Sequence, residues 1–394
     1  MDTAAGRALQ YVVISILAPK DERELRSARY KQHSACSLQP VTNMIPSGGV
    51  RVTTQSGVKT FTLKYVKTIG LITNQPTGRG FSVPYDVAFS KDERIFVISH
   101  AVPSQPHIRI GICTFDEEFL GDFARGRGSG DGQFLAPVAM AFDSQDRLYV
   151  TDEESHRISI FSSEGQFLGK WGVFGSGNGE LNSPAGITID ADDNVYVVDA
   201  QNNRMQKFTT DGKYIAQWGE AGSGPGQFNL PWGTCVDSQG NVYVADWRND
   251  RIQKFTPDGQ FLASFGVAGE GDGQFCRPAG VAVDSEGYIY VADWGNERVQ
   301  VLDYYGNFQL KLRGQATLSK WAAEWLAVNQ DEKRARDIAN LTPEQLPPHL
   351  NTPDHISSQT EPYFWGPVSV KLDGRDRLYV TETCRSRFQI YEKK

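Results

Sequence analysis

A period of 47 residues constrains this 394-residue chain more than any other feature of it. Gly165, Gly212, Gly259 and Gly306 keep that step, each followed two positions later by an aromatic residue. Pro137, Pro184, Pro231 and Pro278 keep it too, as do Asp152, Asp199, Asp246 and Asp293. A fixed period of this length means that one supersecondary unit is copied, and that neighbouring copies bury one another's apolar faces.

Each copy reads as four short strands, a to d. In the clearest one, strand a is Pro278–Asp284, b is Tyr288–Asp293, c is Arg298–Leu302 and d is Asn307–Leu312. These runs are rich in Val, Ile, Tyr and Phe, and turns such as Asp237–Gly240 and Thr256–Gly259 separate them. Four-stranded units of this size are the blades of a propeller. Two weaker copies begin at Pro84 and Pro367. The expected fold is therefore all-β: a six-bladed β-propeller of four-stranded antiparallel blades. The last unit has only strands a, b and c, while a spare strand, Phe61–Ile69, precedes the first. Pairing the two would close the ring and remove an open edge.

The order of features is a Gly-rich loop, Gln-Phe-x-x-Pro, a Gly-Val-Ala-Val-Asp strand, Tyr-Val-Ala-Asp, then Asn-x-Arg-x-Gln. Gly269–Gln300 carries nearly all of it, and in this the chain resembles the NHL-repeat family over roughly residues 60–394. The resemblance implies the propeller fold. It does not select a function, since that family includes protein-binding, RNA-binding and enzymatic members. Residues 1–59 read as an N-terminal extension, 60–394 as the propeller, and 314–362 as a helical and loop insertion between blades 5 and 6.

Residues that obey the repeat read as structural. The pairs Asp152/Arg157, Asp199/Arg204, Asp246/Arg251, Asp293/Arg298 and Glu382/Arg387 recur at the b–c corner and are expected to be loop staples. The Gly-rich loops open no helix, so they read as connectors and not phosphate cradles. Function is sought where the repeat breaks. In an up-and-down blade the b–c and d–a loops share one face, and both large insertions fall there. One is Ser99–Arg109 in blade 1. The other precedes blade 6, where Asp293 and Glu382 lie 42 residues further apart than the repeat requires. In the second, Leu318, Trp321, Ala322, Trp325 and Val328 form an apolar helical stripe, and Thr342-Pro343 is the expected start of another helix.

On this face the candidate partner-binding residues are Tyr85, Asp86, Trp232, Trp247, Arg248, Trp294, Trp365 and Arg385. Trp beside Arg is the composition of binding hot spots and of stacking platforms. His100, His107, His349 and His355 lie in the two insertions and are the candidate ligands for zinc or another transition metal. Three functions follow in order. The first is a non-catalytic module that holds a protein or peptide and needs no cofactor. The second is a metal-dependent lyase or hydrolase built on the insertion histidines. The fold is similar to that of the peptidyl-hydroxyglycine amidating lyases, but these tend to carry His after the strand-a proline, where this chain has Tyr85, Val138, Ala185, Trp232, Ala279 and Val368. The third is RNA binding, known for the NHL domains of tripartite-motif proteins, which a net charge of −7 does not favour.

Five scattered cysteines without a CxxC pair argue against a disulfide framework and for a reducing compartment. The apolar run Tyr11–Ala18 is too short to span a bilayer. Its flanks, Arg7 before it and Lys20–Arg23 after it, make a poor signal peptide. The expectation is a cytoplasmic protein without a membrane span.

Overall fold

The computed structural model describes residues 61–73, 75–100 and 107–394; the N-terminal extension and most of the blade 1 b–c loop lie outside them. Six four-stranded sheets form the ring. Blade 1 comprises Pro84–Phe89, Ile95–Ser99, Arg109–Cys113 and Phe119–Phe123, and blades 2 to 5 repeat it from Pro137, Pro184, Thr234 and Pro278. Blade 6 takes Pro367–Leu372, Leu378–Glu382 and Arg387–Lys393 as strands a to c, and its outer strand is Leu63–Gly70. That strand runs antiparallel to Arg387–Lys393, from Leu63 opposite Lys393 to Gly70 opposite Arg387. No helix among the described residues is long and apolar enough to cross a membrane.

Burial falls from the inner strands outward, which explains the composition of each. Strand b of blade 5, Ile289–Asp293, is buried throughout. Strand d of blade 3, Tyr214–Trp218, alternates half-buried and exposed residues, because only one of its faces meets a neighbouring blade. Between blades, the aromatic or leucine of the Gln-Phe motif drives inward: Phe81, Phe134, Leu181, Phe228 and Phe275 are all buried. The Gly-rich loops fold back on themselves and are filled by their own side chains. Gln133, Gln227 and Gln274 accept from the backbone N–H of Gly130, Gly224 and Gly271. A Cβ on Gly269 would come within 2.3 Å of the Gln274 amide. No space for a phosphate is left inside them.

The b–c corner is held by a buried polar network. In blade 4 the Asp246 carboxylate accepts from Arg251 Nε at 2.9 Å, Asn249 Nδ2 at 2.8 Å, Gln253 Nε2 at 3.1 Å and the backbone N–H of Asn229 at 2.8 Å. The remaining Arg251 nitrogens donate to the carbonyls of Ser223, Gly224 and Gln227, which belong to the preceding d–a loop. Blades 3 and 5 repeat this with Asp199/Arg204 and Asp293/Arg298, and blade 6 with Glu382/Arg387. The residue after each corner, such as Asn203, Asp250 or Glu297, is left-handed, and its side chain accepts a backbone N–H of the next blade. The corners of blades 3, 4 and 5 therefore grip their own loop and the following one.

Blade 2 departs from the expected pattern. Asp152 and Arg157 make no ion pair. Asp152 is occupied by the backbone N–H groups of Leu135, Ala136, Glu154 and Ser155. Ser155 and Ser159 stand where other blades carry the Asn and Gln that orient the carboxylate, and neither hydroxyl finds a partner.

The insertion does not lie over the channel. Arg313–Ser319 crosses the outer side of blade 6, where the Thr317 N–H donates to Tyr65 Oη and Ser319 Oγ donates to the Gly70 carbonyl. Helix α1 (Lys320–Val328) begins at Ser319, and its Trp321 is buried among Ile69, Phe81, Val97 and Phe388 between blades 6 and 1. The Trp321 ring nitrogen donates to the Glu117 carbonyl of blade 1. Of the predicted apolar stripe only Trp321 is buried, while Val328 is 80% exposed; Leu326, outside the stripe, is buried instead. Helix α2 (Gln330–Ile338) follows. The next helix, α3 (Pro353–Gln359), starts at Thr352 and not at Thr342. Thr352 caps the His355 N–H, Pro353 sits in the first turn and Asp354 follows it.

Removing one partner of a buried pair strands the other charge, at a cost of about 3–5 kcal/mol. Asp293→Ala, which orphans the buried Arg298, is expected to lower the unfolding free energy by that order in a urea titration.

Candidate functional site

Strand a of each blade lines the central channel, and the position two after the proline decides its width. Blades 3, 4 and 5 carry Gly186, Gly233 and Gly280 there. A Cβ on Gly186 would stand 2.5 Å from the Trp232 carbonyl, and one on Gly233 would stand 2.5 Å from that of Ala279. The glycines thus allow adjacent inner strands to touch; the Gly186 N–H donates to the Trp232 carbonyl at 2.8 Å. Blades 6 and 1 place Ser369 and Asp86 at the same level. Asp86 accepts from Ser369 Oγ at 2.6 Å and from the Met140 N–H at 2.9 Å, with Lys371 Nζ 3.3 Å away. The cavity at this level of the channel is about 30 Å³, room for roughly two water molecules. Asp86 is 2% exposed. It ties three blades together across the seam, so its carboxylate is spent on the fold. Tyr85 and Trp232 flank the constriction.

The histidines are scattered by the insertions and not collected by them. The His100 ring stacks on Tyr85 at 4.4 Å, with Nδ1 3.0 Å from the Pro137 carbonyl. His355 Nδ1 meets Thr352 Oγ1 at 2.7 Å in the first turn of α3. His349 is exposed in the turn Pro348–Leu350, and His107 is half-buried at the start of blade 1 strand c. Among the described residues no group of three His, Cys, Asp or Glu side chains is placed to hold a metal ion. His156 follows the repeat: it takes the left-handed corner position of blade 2 and accepts the Ser183 N–H. The four described cysteines are free thiols.

Two of the expected binding residues are taken up by the fold, Trp365 buried and Arg385 half-buried. Trp365 is 4% exposed, donates its ring N–H to Asp354, and lies under the Arg385 guanidinium at 5.5 Å. Arg385 occupies, three residues after Glu382, the place of Asn202, Asn249 and Asn296. Like them it donates to the preceding loop, here to the carbonyls of Ser357, Ser358 and Thr360 at the end of α3. Burial lowers its pKa to about 10. A larger loop required longer arms, and Glu382 and Arg385 supply them.

The remaining candidates form a surface. Trp247 and Trp294 occupy the b–c corners of blades 4 and 5, with ring centroids 6.4 Å apart. Arg248 and Arg277 lie over the Trp247 ring at 5.6 and 5.1 Å. The second tryptophan begins the turn Trp294–Asn296, against which α3 packs. A band of aromatic and guanidinium groups thus runs from blade 4 to the insertion, on the face of the b–c and d–a loops.

Family profiles agree with this architecture. One described as the NHL repeat matches residues 228–255 and 275–302, and one described as a 6-bladed beta-propeller matches 139–208. The chain carries NHL repeats within a six-bladed propeller. Solved structures similar to this NHL propeller include a streptogramin B lyase, at 13% identity and a TM-score of 0.50 over 85% of this chain and 98% of that one. Another is a protein of unknown function from Bacteroides thetaiotaomicron, at 16% identity and 0.54 over 84% and 76%. Likeness at these identities concerns the fold. No curated protein matches the sequence.

A second concavity, of about 370 Å³, lies at the blade 6–blade 1 seam between the insertion and the loop after Gly70. Sequence reasoning missed it because its walls come from residues 68–75, 317–341 and 359–387. Its polar wall holds Glu361, which receives both Arg336 terminal nitrogens at 2.5 Å. Burial pushes the Glu361 carboxyl upward, but Arg336, Arg387 and Arg385 outweigh it and hold it below the ordinary range. A depressed carboxyl contributes stability that is present above the usual Glu value of about 4.3 and is lost as pH falls through its folded value. Hydrogen exchange in the insertion is therefore expected to accelerate in acid before the blades do. In Glu361→Gln that acid step should disappear, with exchange already raised at neutral pH.

Proposed function

We propose that this NHL propeller is a non-catalytic binding module that holds a protein or peptide on the face formed by its b–c and d–a loops. The observation that carries the reading is the Trp247–Trp294 band with Arg248 and Arg277 stacked over it. Trp and Arg are the residues most enriched at binding hot spots, where large rigid surfaces are desolvated at small entropic cost. Arg248 is exposed and both tryptophans are partly so, although a corner turn needs no such side chains: blade 3 has Ala200 and Gln201 there. The constriction at Gly186, Gly233, Gly280, Ser369 and Asp86 supports the reading as well, since the cavity at that level of the channel is too small for a peptide.

The lyase activity in the name of a structural neighbour belongs to that protein, and fold alone links it to this chain. An RNA partner is disfavoured by the net charge of −7, because nucleic-acid affinity rests on neutralising phosphates.

The test is a peptide-library selection on the immobilised full-length chain. Enriched peptides should lose binding by about 2 kcal/mol, roughly thirty-fold, to Trp247→Ala or Trp294→Ala. Unfolding temperatures should stay near wild type, and Lys91→Glu on the opposite face should change nothing. Peptides indifferent to both tryptophans would refute the assignment.

A further inference from the structure

We infer that the seam pocket between the insertion and blades 6 and 1 receives an apolar peptide segment with a basic residue beside it. The inference rests on the peptide-binding reading above and names the anchor such a partner would use.

The pocket's size comes first. At about 370 Å³ it falls within the roughly 300–1,000 Å³ of ligand sites, whereas the channel does not. Its lining is mostly apolar, with Leu71, Ala322 and Leu326 inside. Three large apolar side chains stand exposed at its lining: Ile72 at 41%, Leu318 at 41% and Trp325 at 38%. They come from the blade 6–1 loop and from the insertion, so the fold has brought them together. Apolar surface gathered around a concavity marks a place where apolar matter is received.

The charges on the wall narrow the ligand further. Arg336 is taken by Glu361, Arg387 by Glu382, and Arg385 by the carbonyls that end α3. An acidic group entering the pocket would have to displace one of these. Two primary amides on the lining, Gln75 and Gln359, make no side-chain hydrogen bond among the described residues. Each offers a donor and an acceptor, which is the complement of a peptide group. Glu332, also on the lining and half-buried, has no ion-pair partner among the described residues. It supplies a negative charge for a basic neighbour of the buried segment. Apolar side chains, backbone amides and one cation together describe a peptide better than a lipid or an organic acid.

Full-length protein, the neutral fluorophore N-phenyl-1-naphthylamine and two peptides provide the test. The peptides are acetyl-Leu-Phe-Leu-Lys-amide and its twin ending in Glu. The fluorophore should brighten on binding, and the basic peptide should displace it at a concentration at least about tenfold below that of the acidic twin. Ala322→Phe, which fills the pocket, should weaken fluorophore and peptide by about tenfold or more. Trp325→Ala at the exposed rim should do the same to a smaller extent, which keeps the test open if the first variant folds poorly. Glu332→Lys should reverse the preference between the twins. Fluorophore binding that survives Ala322→Phe and Trp325→Ala overturns the site, and equal displacement by both twins overturns the assigned ligand. Selected peptides that depend on Trp247 but ignore Ala322→Phe would sink the pocket and leave the binding face standing.

Discussion

A carboxylate buried at the end of strand b and locked to a guanidinium five residues later is the interaction on which the ring depends. Burying both charges is costly, and their attraction offsets the cost only when every other donor and acceptor is also satisfied. Here they are. Asn and Gln side chains complete the carboxylate, and three loop carbonyls complete the guanidinium. Because those carbonyls belong to the loop that enters the blade, one side-chain pair fixes the position of one blade against the last. Blade 2 shows what the network requires. With Ser155 and Ser159 in place of Asn and Gln, the carboxylate turns to backbone donors and the pair separates.

The seam between blades 6 and 1 needs more than the repeat provides. Its outer strand comes from the other end of the chain, so no turn links it to the strand it pairs with. The insertion reinforces this junction. Ser319 and Thr317 bind the closing strand, Trp321 fills the gap beside it, and α3 reaches back to the corner of blade 5. Asp86 does the same from inside, across blades 6, 1 and 2. The concavity at the seam is a by-product of this bracing: helices laid obliquely on a propeller edge cannot fill every space beneath them.

Departure from a repeat is therefore an ambiguous sign. Asp86, Trp365 and Arg385 all break the pattern, and all three are consumed by the fold: Asp86 at the seam, Trp365 and Arg385 in tying the blade 6 corner to the insertion. Trp247 and Trp294 also break it, yet stay partly exposed on the surface. The difference was not legible in residue type. It depends on whether the corner must reach an enlarged loop, as in blade 6, or a short one, as in blades 4 and 5. The same limit applies to the insertion. Its helical character was legible from spacing, but its buried face was not, because Trp321 docks against Ile69, Phe81 and Val97, more than 220 residues earlier in the chain, and against Phe388. Thr342-Pro343 and Thr352-Pro353 offer the same local start signal, and only the second is followed by a helix that packs.

The sequence by itself determined the number of blades, the order of their strands and the face that carries the long loops. Those properties follow from periodicity, and periodicity is local information copied along the chain. Tertiary structure alone decided that the channel narrows at the strand-a glycines, that among the described residues the insertion histidines join no group of three metal-ligating side chains, and that a pocket opens at the seam. Each of these depends on distances between segments far apart in the chain, set by how closely backbones approach at Gly186 and Gly233 and by where Trp321 finds its cavity.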